Sequence, residues 1–148
     1  MAEEIPNAVL FACSENSIRS PMAAALMQHF YGSKVFVSSV GVRAGDIDPF
    51  AVAVMDEIGI DVSRHRAQSF DELEDTSFDV VVSLSPEAHH RALEFTRTMA
   101  IEAEYWPTHD PSVVAGSREQ LLAAYRAVRD GLRNRIIARF GTLAARGV

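Results

Sequence analysis

Apolar positions along the chain fall into two rhythms: short solid runs of strand length, and longer stretches in which apolar residues return every three or four positions. The run NAVLFA, Asn7 to Ala12, reads as a strand. SPMAAALMQHFYG, from Ser20, reads as a helix with Pro21 in its first turn and Gly32 closing it. KVFVSS, Lys34 to Ser39, is β-branched and aromatic and predicts a second strand. After a loop containing Gly41 and Gly45, DPFAVAVMDEIG predicts a helix with Asp48 as N-cap, Pro49 at the first helical position and Gly59 at the end. SFDVVVSLS, Ser77 to Ser85, predicts a buried strand, and PEAHHRALEFTRT a helix opened by Pro86 and running to Thr98. EAEYW, Glu102 to Trp106, is a weaker strand before the loop PTHDPSVVAG.

The strongest helical signal begins at Ser117. Ser117 and Gln120 have capping-box spacing, and Leu121, Leu122, Tyr125, Val128, Leu132, Ile136, Ile137 and Phe140 follow at three- and four-residue steps. Four strands alternating with helices predict a four-stranded parallel sheet with right-handed crossovers and helices on both faces. The expected architecture is thus a single three-layer α/β/α domain over residues 1–148. Sheets of this kind bind ligands beyond the carboxyl ends of their strands. Cys13 sits at such an end.

Composition narrows the picture. The chain has 148 residues, 48% of them hydrophobic, enough for one real core. It carries 14 basic and 20 acidic side chains, a net charge of −6, which argues against a nucleic-acid partner because phosphate backbones are held by basic patches. No apolar run approaches a membrane span. The start, MAEEIPN, is acidic and polar and lacks the pattern of a secretory signal. The single cysteine excludes an internal disulfide and fits a reducing, cytoplasmic setting.

That cysteine opens the loop CSENSIR, where the first strand turns into the first helix. The first N–H groups of a helix have no intrahelical acceptors, and with the positive end of the dipole they form an anion site. Thiols at such turns ionise more readily than free cysteine. Arg19 can fold back and grip two oxygens of a tetrahedral anion, Ser20 offers a hydroxyl to the sulfur, and Asn16 is a residue type that tolerates positive φ. Displacement at phosphorus also needs a proton donor for the leaving oxygen. Asp48 has ordinary work as an N-cap, whereas Asp110, followed by Pro111 in the last long loop, shows no such duty in the sequence. His109 beside it is expected to be an exposed loop residue. His89 and His90 are adjacent, no histidine pair has convincing metal spacing, and with one cysteine no metal site is expected.

These residues resemble the low-molecular-weight protein tyrosine phosphatase family, which also includes thioredoxin-coupled arsenate reductases. VLFACSENSIRSPMA is similar to the family's Cys-x5-Arg-Ser-Pro loop, and the likeness continues through VSSVGV, GIDVSRHRAQ and the Asp-Pro of THDPS. The resemblance implies that Cys13 attacks phosphorus, that Arg19 and the loop amides of Ser14, Glu15, Asn16, Ser17 and Ile18 bind the oxyanion, and that Asp110 is the general acid. It implies that Asn16, Ser20 and His65 hold the loop in shape, and that no metal or cofactor is needed. The implied substrate is a phosphorylated protein or a small phosphate or arsenate oxyanion.

Four departures are visible. Glu15, expected to point outward, stands where the family usually has glycine, and Ile18 replaces a second cysteine. Ser112 and Val113 replace the tyrosines that wall the phosphatase pocket. Ser85 and Ala92 stand where the reductases carry two further thiols, which excludes a self-contained thiol relay. Three readings follow: a phosphate-monoester hydrolase, a single-cysteine arsenate reductase using an external thiol, and a non-catalytic oxyanion or phosphoprotein binder.

Overall fold

A computed structural model describes residues 5–74, 77–97 and 99–141. Its elements alternate as β1 (Ala8–Cys13), α1 (Arg19–Tyr31), β2 (Phe36–Gly41), α2 (Pro49–Asp56), β3 (Val80–Ser83), α3 (Pro86–Thr96), β4 (Glu102–Tyr105) and α4 (Arg118–Phe140). The four strands form one parallel sheet in the order β2-β1-β3-β4. β1 is central and all six of its residues are buried, as expected of a parallel strand covered on both faces. Its side chains divide by alternation. Val9, Phe11 and Cys13 face the larger core built with α1, α2 and α4, whereas Ala8, Leu10 and Ala12 face the smaller core under α3. No helix among the described residues is long and apolar enough to cross a membrane.

Element boundaries shift from the sequence expectation for identifiable reasons. β2 starts two residues late, because the amides of Lys34 and Val35 still bond back to the Tyr31 carbonyl and the ladder begins with Phe36 N–H on Asn7. It then continues through Gly41, opposite Cys13. β3 covers only Val80–Ser83 of the expected Ser77–Ser85. α3 ends at Thr96, and its expected last residue, Thr98, lies outside the described residues. Gly32 follows α1 in an ordinary right-handed conformation, so that helix ends without a left-handed residue. Gly59, at φ +79, does supply one after α2.

The long helix α4 has both bonds of its capping box. Leu122, Tyr125, Val128, Leu132, Ile136 and Phe140 form its buried stripe, while Leu121 and Ile137 flank it half-buried. Two short 3-10 turns, Phe70–Glu72 and Pro111–Val113, have no counterpart in the sequence expectation.

Candidate active site

The loop between β1 and α1 is shaped by where its carbonyls go. Those of Cys13, Ser14, Glu15 and Ser17 accept from the amides of Val42, Arg43, Gly45 and Asp48, at 2.8–3.1 Å. The segment after β2 thus straps the loop from outside. The amides of Ser14, Glu15, Ser17, Ile18 and Arg19 have no protein acceptor among the described residues, and Ile18 provides no side-chain cap for α1. A run of unsatisfied N–H groups at a buried helix start is the arrangement that favours an anion.

Asn16 is the keystone of this loop. It is fully buried, and at φ 56 it is the one non-glycine residue with positive φ among those described. Its Nδ2 donates to Ser20 Oγ (2.8 Å) and Ser39 Oγ (2.9 Å), and its Oδ1 accepts from the Gln68 amide (3.0 Å). His65 Nε2 lies 3.1 Å from both Asn16 Oδ1 and the Asn16 carbonyl. Both neighbours are acceptors, so Nε2 carries the proton. Burial lowers the His65 pKa, partly offset by the bond to the Asn16 carbonyl, and favours the neutral ring.

Cys13 Sγ sits 2.9 Å from Ser20 Oγ and accepts from the Asn16 amide at 3.2 Å. The Ser20 hydroxyl has a second acceptor, the Val40 carbonyl at 3.3 Å. Arg19 is buried, and its Nη1 donates to the Thr108 carbonyl at 3.0 Å, tying the Cys13 loop to the chain beyond β4.

The result is a cleft of about 140 Å³ lined by Cys13, Glu15, Ser17, Ile18, Arg19, Asp48, Asp110 and Ser112. Cys13, Arg19 and Asp110, chosen from sequence, therefore share one cavity. Ser14, Asn16 and Ser20 work beside it. Ser14 Oγ donates to Ser85 Oγ (3.0 Å), and Ser85 also caps α3 through the Ala88 amide (3.2 Å). Glu15 is exposed at the rim with no positive φ. Ser85 and Ala92 are both buried.

Asp110 differs from the sequence reading, which gave it no capping duty. Its Oδ1 accepts from the Ser112 amide (2.9 Å) and hydroxyl (2.6 Å), capping the 3-10 turn Pro111–Val113. Burial pushes the Asp110 carboxyl up, but the Ser112 hydroxyl and amide outweigh it, with smaller contributions from Arg19 and His109, and the net direction is down. Asp48 does cap α2, through the Phe50 and Ala51 amides, and also accepts from Tyr125 Oη at 3.0 Å. Burial and that carboxylate raise the Tyr125 pKa well above its ordinary value.

Several residues escaped sequence reasoning. Gly41 is required by close approach: a Cβ there would collide with the Arg43 carbonyl and lie 2.6 Å from the Asn16 nitrogen and 2.8 Å from the Glu15 carbonyl carbon. Ser39, Gln68, Thr108 and Tyr125 act through contacts that join distant parts of the chain. Ser39 and Gly41 lie in VSSVGV, Gln68 in GIDVSRHRAQ and Thr108 in THDPS, but the likeness of these stretches to the family carries no mechanism for them, and Tyr125 reads from sequence only as an apolar position of the last helix.

Comparison with known proteins agrees with this geometry. The family model for low molecular weight phosphotyrosine protein phosphatase matches residues 8–146. An arsenate reductase from Bacillus subtilis (strain 168) is 31% identical over 128 residues, covering 86% of this chain and 91% of its own. A glutaredoxin arsenate reductase from Synechocystis is 30% identical over 128 residues, covering 86% and 92%. Among solved structures, an arsenate reductase in the phosphate binding state superposes with a TM-score of 0.75 at 30% identity, covering 89% of this chain and 95% of that one. With its strapped Cys-x5-Arg loop and a family match across nearly its whole length, the chain belongs to the low molecular weight phosphotyrosine protein phosphatase family.

Proposed function

We propose that the protein hydrolyses phosphate monoesters through a cysteinyl-phosphate intermediate. The observation that carries this reading is the convergence of Cys13, Arg19 and Asp110 on one small cleft. The phosphoryl group sits against the loop amides and Arg19, which offset its charge without a metal. The Cys13 thiolate attacks phosphorus, the S–P bond forms and the ester P–O bond breaks. Asp110 gives its proton to the departing oxygen. Water then attacks phosphorus, passing its proton to the Asp110 carboxylate, and the S–P bond breaks to return the thiolate and inorganic phosphate. In the free cleft the Ser112 bonds favour the Asp110 carboxylate, whereas a phosphate dianion beside it raises its hold on a proton. Turnover is therefore expected to fall as pH rises. A reducing compartment such as the cytoplasm suits the single thiol.

Similarity to arsenate reductases favours a second reading, with Cys13 displacing an oxygen of arsenate. An external thiol would attack that sulfur, leaving a mixed disulfide and arsenite. A second thiol would release Cys13, so two thiols supply the two electrons. With Ser85 and Ala92 in place of thiols, no internal relay is available to this chain. Phosphate release from a small aryl phosphate, wild type beside Cys13→Ser, separates the readings. Turnover lost in the variant supports hydrolysis. No turnover by the wild type, with arsenate-dependent oxidation of added thiol, overturns it in favour of the reductase. Phosphate binding with neither activity leaves the protein an oxyanion binder.

A further inference from the structure

The cleft is polarised from base to rim. Among the described residues its one guanidinium, Arg19, is buried at the base and held by the Thr108 carbonyl. Three carboxylates share the same cavity, those of Glu15, Asp48 and Asp110, together with the hydroxyls of Ser17 and Ser112. Proton transfer uses only Asp110. Asp48 is fixed by two amides and the Tyr125 hydroxyl, all bonds that a carboxylate accepts. Glu15 lies across Gly45, where a Cβ would stand 3.4 Å from Glu15 Oε1. The cation that senses its charge, Arg43, is committed to Glu87 through two bonds of 2.7 and 2.9 Å.

No aromatic side chain lines the cleft among the described residues. The nearby Phe50 ring instead packs on Tyr125 at 5.4 Å, with the Arg118 guanidinium 5.5 Å from its centroid. An aryl leaving group therefore gains no stacking partner inside the cleft, and an anionic one meets carboxylates. We propose that this cleft selects phosphate monoesters whose leaving group carries a positive charge close to the ester oxygen, with Glu15 as the specificity-determining carboxylate at the rim. The inference rests on the hydrolytic reading of the same site. Phosphoryl oxygens are held at the cationic base while the leaving group's cation reaches the anionic rim, so a single substrate answers both ends of the field. Opposite unit charges about 6 Å apart favour one another in binding by roughly threefold in bulk water and roughly a hundredfold at the effective dielectric of a protein surface, so a solvent-exposed rim carboxylate falls between, at roughly tenfold.

The test is a series of three aryl phosphates alike except for a para substituent that is aminomethyl, hydroxymethyl or carboxymethyl, assayed with the wild type, Glu15→Gln and Glu15→Lys. The expected result is kcat/KM about tenfold higher for the cation than for the neutral ester, and lower again for the anion. That order should weaken with rising salt, shrink in Glu15→Gln and reverse in Glu15→Lys. Equal rates for the three esters in the wild type, or an order unchanged by both variants, would overturn the proposal while leaving hydrolysis intact. Turnover of none of them removes the hydrolytic reading and this inference with it.

Discussion

Replacing Asn16 by alanine strikes the loop at the point where backbone conformation and hydrogen bonding are both set by one residue. The side chain is fully buried and makes four polar contacts, to Ser20, Ser39, Gln68 and His65. His65 keeps the Asn16 carbonyl and Ser20 keeps Val40 and Cys13, so those two are partly compensated. The Gln68 amide and the Ser39 hydroxyl are left with the larger deficit. A buried hydroxyl and a part-buried amide losing partners cost about 1–1.5 kcal/mol each, and alanine at positive φ adds about 1 kcal/mol. The expected loss is therefore about 3–4 kcal/mol, a large share of the roughly 5–15 kcal/mol of a typical domain. Asn16→Gly removes the same hydrogen bonds but accepts the conformation, and should lie about 1 kcal/mol above Asn16→Ala. Urea unfolding of the three proteins, followed by far-ultraviolet circular dichroism, gives both differences. A loss below about 1 kcal/mol in both variants would refute the hydrogen-bond account, since buried unpaired groups cost at least that. Glycine no better than alanine would refute the backbone part.

Two further outcomes follow from single contacts. Ser112→Ala deletes the hydroxyl 2.6 Å from Asp110 that helps hold its carboxyl low, so that carboxyl should rise. The alkaline fall of kcat/KM then moves to higher pH, and an unmoved or lowered limb in the pH–rate profile would contradict Asp110 as the acid. Gly41→Ala places a methyl group against the backbone of Arg43, Asn16 and Glu15, none of which can swing away as a side chain would. Displacing the loop by a fraction of an ångström should lower kcat/KM on the order of a hundredfold with the fold retained, measurable as turnover beside the thermal midpoint.

What the sequence revealed was mostly local. The strand-to-helix turn after Cys13, the positive φ of Asn16, the Asp48 cap and the Ser117–Gln120 box depend on residues within a few positions of one another, and each is present in the structure. Gly41 was not legible, because its need arises from a loop more than twenty residues earlier crossing its face. Thr108 contributes only a carbonyl, which side-chain identity does not encode. Asp110 was read without a cap because Pro111-Ser112-Val113 carries no helical period, yet three residues suffice for a 3-10 turn that occupies one of its oxygens. Strand β2 was misplaced by two residues because Lys34 and Val35, though Val35 favours strands, spend their amides closing α1.

The central claim is that Cys13 takes the phosphoryl group during turnover. Its most direct test mixes Asp110→Asn, which should slow hydrolysis of the intermediate, with an aryl phosphate whose leaving group departs without acid help. The reaction is quenched in acid and the peptide containing Cys13 is weighed by mass spectrometry. A mass increase of one phosphoryl group on Cys13, absent from Cys13→Ser treated alike, is the result expected. Phenol release with no phosphoryl group on that peptide, or one carried by another residue, would contradict the account.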